Sequence, residues 1–338
     1  MNGKNTLVIL QFYVKKFTTM RKISLFSIIL LASIQAFSQQ NAHYSQYVFN
    51  LLVINPAYAG AKGLVNINAM YNAQWYGLEG APKTLTLSAE GPIFNTMGVG
   101  IHFMQDELGA QKQTSVYGSY AYKLRLSQNW RLSLGLSAGI SYFNLDGNKF
   151  TVNDENLIDP SIPKTNVTTS LFDSKFGVFL FSKRFYAGFS ISDLTANIKS
   201  PNDLLTTSQR QHFYLTSGYV IKLNETFKLK PSFMIKEDLK SLTNIDLSSY
   251  VLYKNTIWFG VTYRTGAKII TSNQLDQSLK FKDAIIFMLD YNATDNLRIG
   301  YSYQYSLNKL NNFYGHEILV GYYFAKTPKT KMLTPRYF

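Results

Sequence analysis

From residue 64 onward, apolar side chains alternate with polar or small ones in segments of roughly ten residues, the period of two expected when opposite faces of a strand meet different surroundings. The clearest segment sets Leu297, Ile299, Tyr301, Tyr303, Tyr305 and Leu307 against Arg298, Gly300, Ser302, Gln304 and Ser306. Another sets Trp130, Leu132, Leu134, Leu136, Ala138, Ile140 and Tyr142 against Arg131, Ser133, Gly135, Ser137, Gly139 and Ser141. Helical spacing is absent. The pattern predicts strands near 64–76, 83–91, 97–106, 113–126, 130–144, 173–182, 185–193, 211–223, 226–236, 244–253, 256–265, 282–292, 297–307 and 313–324.

The connections carry independent information. Tight links occur at Ser127-Gln128-Asn129, Lys183-Arg184, Asn224-Glu225, Lys254-Asn255 and Thr294-Asp295-Asn296, each leading from an even-numbered strand to the next odd one. Longer connections fall between them, near 145–172, 194–210, 237–243 and 266–281. Outer-membrane barrels keep short turns in the periplasm and long loops outside, so the pattern predicts an all-β fold, a transmembrane antiparallel β-barrel of about 14 strands. An even count returns both termini to the periplasm. The expected division is a periplasmic motif segment at 39–63, the barrel at 64–324 and a basic periplasmic tail at 325–338. A soluble two-sheet sandwich also alternates. It does not explain apolar faces such as Ile257, Phe259, Val261 and Tyr263 in nearly every segment.

Composition sharpens this picture. The chain is 46% hydrophobic but only 16% charged and 15% aromatic, a mixture unusual for a soluble enzyme. Its Tyr, Phe and Gly content suits a lipid-facing wall with aromatic girdles. Arg21-Lys22, the apolar run from Ile23 to Ala36 and the small residues Ala36 and Ser38 predict a signal peptide cut after Ser38, with the start at Met20 and residues 1–19 an upstream segment. The run is too short to cross a bilayer as a helix. There is no cysteine, which excludes disulfides, zinc thiolates and a lipidated N-terminus. Loss of Lys4, Lys15, Lys16, Arg21 and Lys22 would take the formal charge from +14 to +9, which suits anionic envelope lipid or an acidic partner.

Just after the expected cleavage point stand Tyr44-Ser45-Gln46-Tyr47-Val48-Phe49-Asn50 and Asn55-Pro56-Ala57-Tyr58-Ala59-Gly60. Further along come Gln74-Trp75, Gly80-Ala81-Pro82-Lys83-Thr84, Gly98-Val99-Gly100, Asp106 with Gly109, Tyr120-Ala121-Tyr122 and a terminal Pro335-Arg336-Tyr337-Phe338. These residues together resemble the PorP/SprF family over essentially the whole mature chain. One departure is Asn72, where the pattern has an arginine ahead of Gln74-Trp75. The resemblance implies an outer-membrane barrel of the type IX secretion system in Bacteroidota. It implies as partners the C-terminal sorting domain of a secreted adhesin, as in gliding, or periplasmic ring and lipoprotein components. The motif residues are the partner-binding candidates. Physically, Pro56 biases Asn55 away from helix, and the aromatics Tyr44, Tyr47, Phe49 and Tyr58 suit either packing in the lumen or docking a partner.

Other motifs carry less. Gly135-Leu136-Ser137-Ala138-Gly139 matches a nucleophile elbow, but that motif needs a strand, a strained turn and a helix, and this one lies inside an alternating strand. His43, His102, His212 and His316 are too dispersed to predict a metal site. Asp146, Asn148, Asp154, Glu155 and Asp159 could offer calcium hard oxygens, without the glycine and glutamate placement of an EF-hand. Nothing suggests a cofactor or nucleic acid. The expectation is a non-enzymatic barrel that binds or anchors a secreted protein, with a diffusion porin as the rival and a membrane-embedded hydrolase as a distant third.

Overall fold

The computed structural model describes residues 44–149, 165–195, 210–239, 241–267, 269 and 283–324. The signal peptide, His43, Asp154, Glu155, Asp159 and the tail with Arg336, Tyr337 and Phe338 lie outside them.

Fifteen strand elements follow one another: β1 (Val65–Tyr76), β2 (Lys83–Phe94), β3 (Met97–Leu108), β4 (Gln111–Arg125), β5 (Arg131–Leu145), β6 (Val167–Phe181), β7 (Phe185–Ser192), β8 (His212–Tyr219), β9 (Ile221–Lys222), β10 (Phe227–Glu237), β11 (Thr243–Tyr253), β12 (Ile257–Ala267), β13 (Ala284–Asn292), β14 (Leu297–Ser306) and β15 (Tyr314–Phe324). Two of them, β8 and β9, are one stave interrupted at Val220, so the wall has 14 staves. Both pair with β10, whose Pro231 faces the interruption and has no N–H to offer.

Every stave is antiparallel to its chain neighbours, and β15 returns to β1 in a register running from Val65↔Phe324 to Ala73↔His316. This closure removes both sheet edges, so every strand finds its backbone partners within the wall, as a membrane interior demands. Alternation then sorts the side chains. Leu136, Ile140, Phe172, Leu247, Phe259 and Phe287 point outward and are exposed, Leu136 at 62%. An exposed leucine alone is ordinary, but a continuous apolar belt on a soluble protein would drive association, whereas lipid accepts it. Inward positions are polar: Thr86, Ser88, Ser115, Ser133, Ser141, Asp173, Asp246, Asp290 and Ser302 are all buried.

The observed strands follow the alternation closely. The largest difference is β6, which starts at Val167 and not near 173. Its first residues, Val167 to Phe172, pair with Leu145 back to Ile140, because threonine and serine serve a strand as well as a loop. Two short-side links are Ser182–Arg184 and Lys254–Thr256, and the opposite end carries the long connections at 146–166, 193–211 and 268–283. The exception on that end is Gly109-Ala110, a two-residue turn between β3 and β4, where Gly109 has φ 59°. Two-residue hairpins favour glycine for such backbone.

Candidate functional site

Residues 44–64 enter the barrel before the first strand. They fold as three single 3-10 turns, Tyr47–Phe49, Leu51–Val53 and Pro56–Tyr58, and not as a continuous helix. Asn55 explains one break: its side chain accepts from Ala57 N at 2.9 Å, and Pro56 occupies the first position of the turn, where no N–H is needed. The segment is too apolar to stand in water. Val48, Leu51, Leu52, Ala57, Tyr58 and Ala59 are each at most 1% exposed.

Residues 44–63 lie in the lumen, because apolar side chains at this density need partners on every side. Tyr44 contacts Thr86 and Arg264, three residues in from the long-connection ends of β2 and β12. Gly60, at the other extreme, meets Gly98 beside the short β2–β3 turn. The plug therefore descends from the long-connection half to the short-turn end, then turns back up as β1.

Polar anchors hold the upper end. Both carboxylate oxygens of Glu317 accept backbone N–H groups, from Ser45 at 2.9 Å and Gln46 at 2.7 Å, and the Gln46 side chain donates to the Glu317 carbonyl at 3.1 Å. Arg264 grips Asp246 through two bonds of 2.8 and 2.9 Å and also reaches the Tyr44 carbonyl at 3.4 Å. A fork held by a carboxylate keeps its remaining donor aimed.

Aromatic packing dominates the middle. Phe49 sits between Tyr250 and Trp258 at centroid distances of 6.4 and 6.0 Å, with the Arg298 guanidinium 4.3 Å from its ring. Lys230 Nζ lies 5.5 to 5.9 Å from the rings of Phe49, Tyr186, Tyr250 and Trp258. Cation–π attraction of this kind reaches about 2 kcal/mol when water is excluded. Tyr58 meets Phe179 edge to face at 5.4 Å. Ser88 Oγ donates to Asn50 Oδ1 at 3.1 Å, and Ser190 Oγ donates to the Ile54 carbonyl at 2.7 Å.

Backbone approach governs the lower end. Gly60 takes φ +69°, its N–H donates to Glu90 at 2.6 Å, and its carbonyl accepts from Lys123 Nζ at 2.8 Å. Asn55 Nδ2 donates to the carbonyls of Val178 and Phe189 at 3.1 and 3.3 Å. Two wall glycines admit the plug backbone: a Cβ on Gly98 would fall 2.1 Å from the Ala59 carbonyl oxygen, and one on Gly135 2.2 Å from Ala57 N.

The structure thus brings Tyr44, Gln46, Tyr47, Phe49, Asn50, Asn55, Pro56, Tyr58 and Gly60 into one buried unit. It does not bring Gln74, Trp75 and Pro82 there. Gln74 and Trp75 end β1 at the long-connection end, where Gln74 N donates to the Pro82 carbonyl at 3.0 Å. Asn72 points inward and is buried. The wall's half of the site was not anticipated: Glu90, Phe179, Tyr186, Lys230, Tyr250, Trp258, Arg264, Arg298 and Glu317. A signal existed, since Phe179, Tyr250 and Trp258 put aromatic rings at positions where the alternation calls for small or polar groups.

The remaining candidates are scattered. Ser137 lies mid-strand in β5 with its hydroxyl donating to the Gly118 carbonyl at 2.9 Å. His102 stacks on Tyr117 in the lumen at 4.8 Å, His212 pairs with Asp193 at 3.3 Å, and His316 bonds Tyr301 at 2.8 Å on the outer face. Asp146 caps its own turn by accepting from Asn148 N at 3.0 Å.

A family model described as type IX secretion system membrane protein PorP/SprF matches residues 36–322, from ahead of the plug to the closing strand. This chain belongs to the PorP/SprF family. It is accordingly a membrane barrel of type IX secretion. No curated protein matches the sequence. Among solved structures, the PorP/SprF chain is similar to the Ralstonia pickettii toluene transporter TbuX, at 10% identity and TM-score 0.47 over 81% of this chain and 93% of that one. It is similar also to the CymD monoaromatic hydrocarbon channel, at 10% identity and TM-score 0.45 over 81% and 92%. For the Acinetobacter baumannii outer membrane protein Omp33 the values are 8% and 0.45 over 78% and 100%. The fold rests on the strand pairing and closure, not on these likenesses.

Proposed function

We propose that this PorP/SprF barrel sits in the outer membrane with its short turns in the periplasm, and that it is a corked scaffold that recognises a secreted surface protein. The observation that carries this reading is the plug. Nine motif residues are spent on filling the lumen, and each end is tied to the wall by buried hydrogen bonds. A general porin keeps its lumen as a water-filled channel. A scaffold has a use for the filling, because a filled lumen keeps a wide barrel rigid and sealed while its loops engage a partner. The partner in this reading is a type IX substrate with its C-terminal sorting domain, held at the long connections. The chemistry is recognition, without turnover.

The test has two arms. In planar bilayers the full chain is expected to give no stable conductance, and a variant lacking residues 44–60 to give a stable open pore. In mild-detergent extracts of native envelopes, the tagged full chain is expected to carry a large secreted surface protein with it. Steady conductance by the full chain with no co-purifying surface protein would return the porin to favour.

A further inference from the structure

Among the described residues, the short turns of the barrel carry their cations on one side. Around the wall, four consecutive turns hold Arg125 and Arg131 (β4–β5), Lys183 and Arg184 (β6–β7), Lys222 and Lys228 (β9–β10) and Lys254 (β11–β12). Against these seven cations the same turns hold one carboxylate, Glu225. Glu225 is ion-paired with Lys222, whose hydrogen bond and charge hold its carboxyl below the ordinary range. The two other turns of this end, Asn95-Thr96 and 293–296, contribute only Asp295. The lumen cations Lys62, Lys123, Lys230 and Arg298 are buried against the plug and do not reach this surface.

Two features argue against simple solvation. Arg125, Lys183, Arg184 and Lys254 are exposed, and like charges crowded on one rim repel one another, which costs free energy unless something offsets it. Arg131 donates to the carbonyls of Ser127 and Trp130 at 2.9 and 3.1 Å, which fixes the first turn of the arc in one shape. Leu126 and Leu223, at 57% and 58% exposure, and Trp130 and Phe185, 5.5 Å apart, continue the outward series of their strands and mark the edge of the lipid-facing belt beside the arc.

We propose that this basic arc, spanning the turns from β4–β5 to β11–β12, is the docking surface for an acidic face of a periplasmic protein. Lipid headgroups offer the other source of negative charge. A lipid annulus surrounds the barrel evenly and would call for cations on all six turns, whereas a partner bound from one side calls for the lopsided arc observed. The proposal rests on the orientation given above, with short turns in the periplasm, and is independent of what the long connections bind.

The test uses the full chain in its native envelope, with a photo-crosslinking residue placed singly at Gln128, Lys183 and Lys254 on the arc, and at Asn95 and Asp295 off it. The arc positions are expected to give a protein adduct of one mass, whose partner proves to carry an acidic surface. The adduct should fall by about tenfold in the double variant Lys183→Glu, Arg184→Glu, as rim-charge removal slows encounter. It should fall similarly in about 1 M salt, where screening acts within a few ångströms. Heat-modifiable mobility in gels checks that the double variant still forms a barrel, and Asp295→Lys should leave the adduct unchanged. Adducts of equal yield at all five positions, adducts with phospholipid only, or no adduct from the arc would overturn the proposal. Retention of the surface partner by the double variant separates failure here from failure of the scaffold reading.

Discussion

The wall and the plug of this barrel obey opposite rules. In the wall each residue is assigned to lipid or lumen by its parity, so Leu136 faces out and Ser137 faces in, and the backbone makes its own hydrogen bonds with neighbouring strands. In the plug there is no parity, and almost every side chain from Tyr44 to Ala61 is buried whatever its direction. Its backbone depends on side chains of the wall, namely Glu317, Glu90, Lys123 and Ser190. The wall is thus a self-sufficient structure, and the plug exists only inside it.

The difference can be broken at several points. Phe49→Ala should have the largest effect, because it empties the centre of the aromatic cluster at a cost of about 3–5 kcal/mol. The expected result is protease access to the plug with the barrel still folded, and loss of the barrel itself would show that the wall leans on the plug. Next comes a pair of glycines on adjoining strands. Gly135→Val places atoms against the backbone of Ala57 and should cost about 1–3 kcal/mol or more, while Gly118→Val, on the outer face with nothing within 4 Å, should be close to neutral. Equal shifts in chemical denaturation of the two variants would erase the distinction.

Glu317→Gln should cost about 1–2 kcal/mol, since the amide keeps one acceptor for the two N–H groups of Ser45 and Gln46 and loses the charge. Hydrogen exchange at those two amides should quicken severalfold while β15 stays protected. Ser137→Ala should have the smallest effect, within about 1 kcal/mol, because its hydroxyl serves only wall neighbours. Any esterase signal of the preparation should be unchanged by it, and its disappearance would revive the hydrolase.

Legibility in the sequence divides along the same line. The wall could be read because lipid on one side and a polar lumen on the other impose a period of two, and most strand ends fall within two residues of that reading. The stave break at Val220 could not, since it depends on which strand Pro231 would face. The motif residues could be named from resemblance, but their burial could not be derived, because a short apolar stretch with Pro56 and Gly60 has no periodicity that says what surrounds it. The wall's contribution was hidden for a further reason. Glu317 and Arg264 are ordinary inward-facing polar residues until the plug arrives to use them, and only closure brings Glu317 within 2.9 Å of a segment 272 positions away in sequence. The exceptions to parity, above all Trp258, were the visible trace of something apolar inside.

The plug runs directly into β1, and β1 is the strand that closes the wall against β15. On that flank the plug is held from both sides of the seam, by Glu317 of β15 on the backbone of Ser45 and Gln46 and by Thr86 and Ser88 of β2 on Tyr44 and Asn50. The plug therefore has its full set of anchors only in the closed barrel. A chain cut short before β15 would lose the Glu317 clamp on its stopper together with its closing strand, so one truncation loosens the cork and opens the wall at the same place.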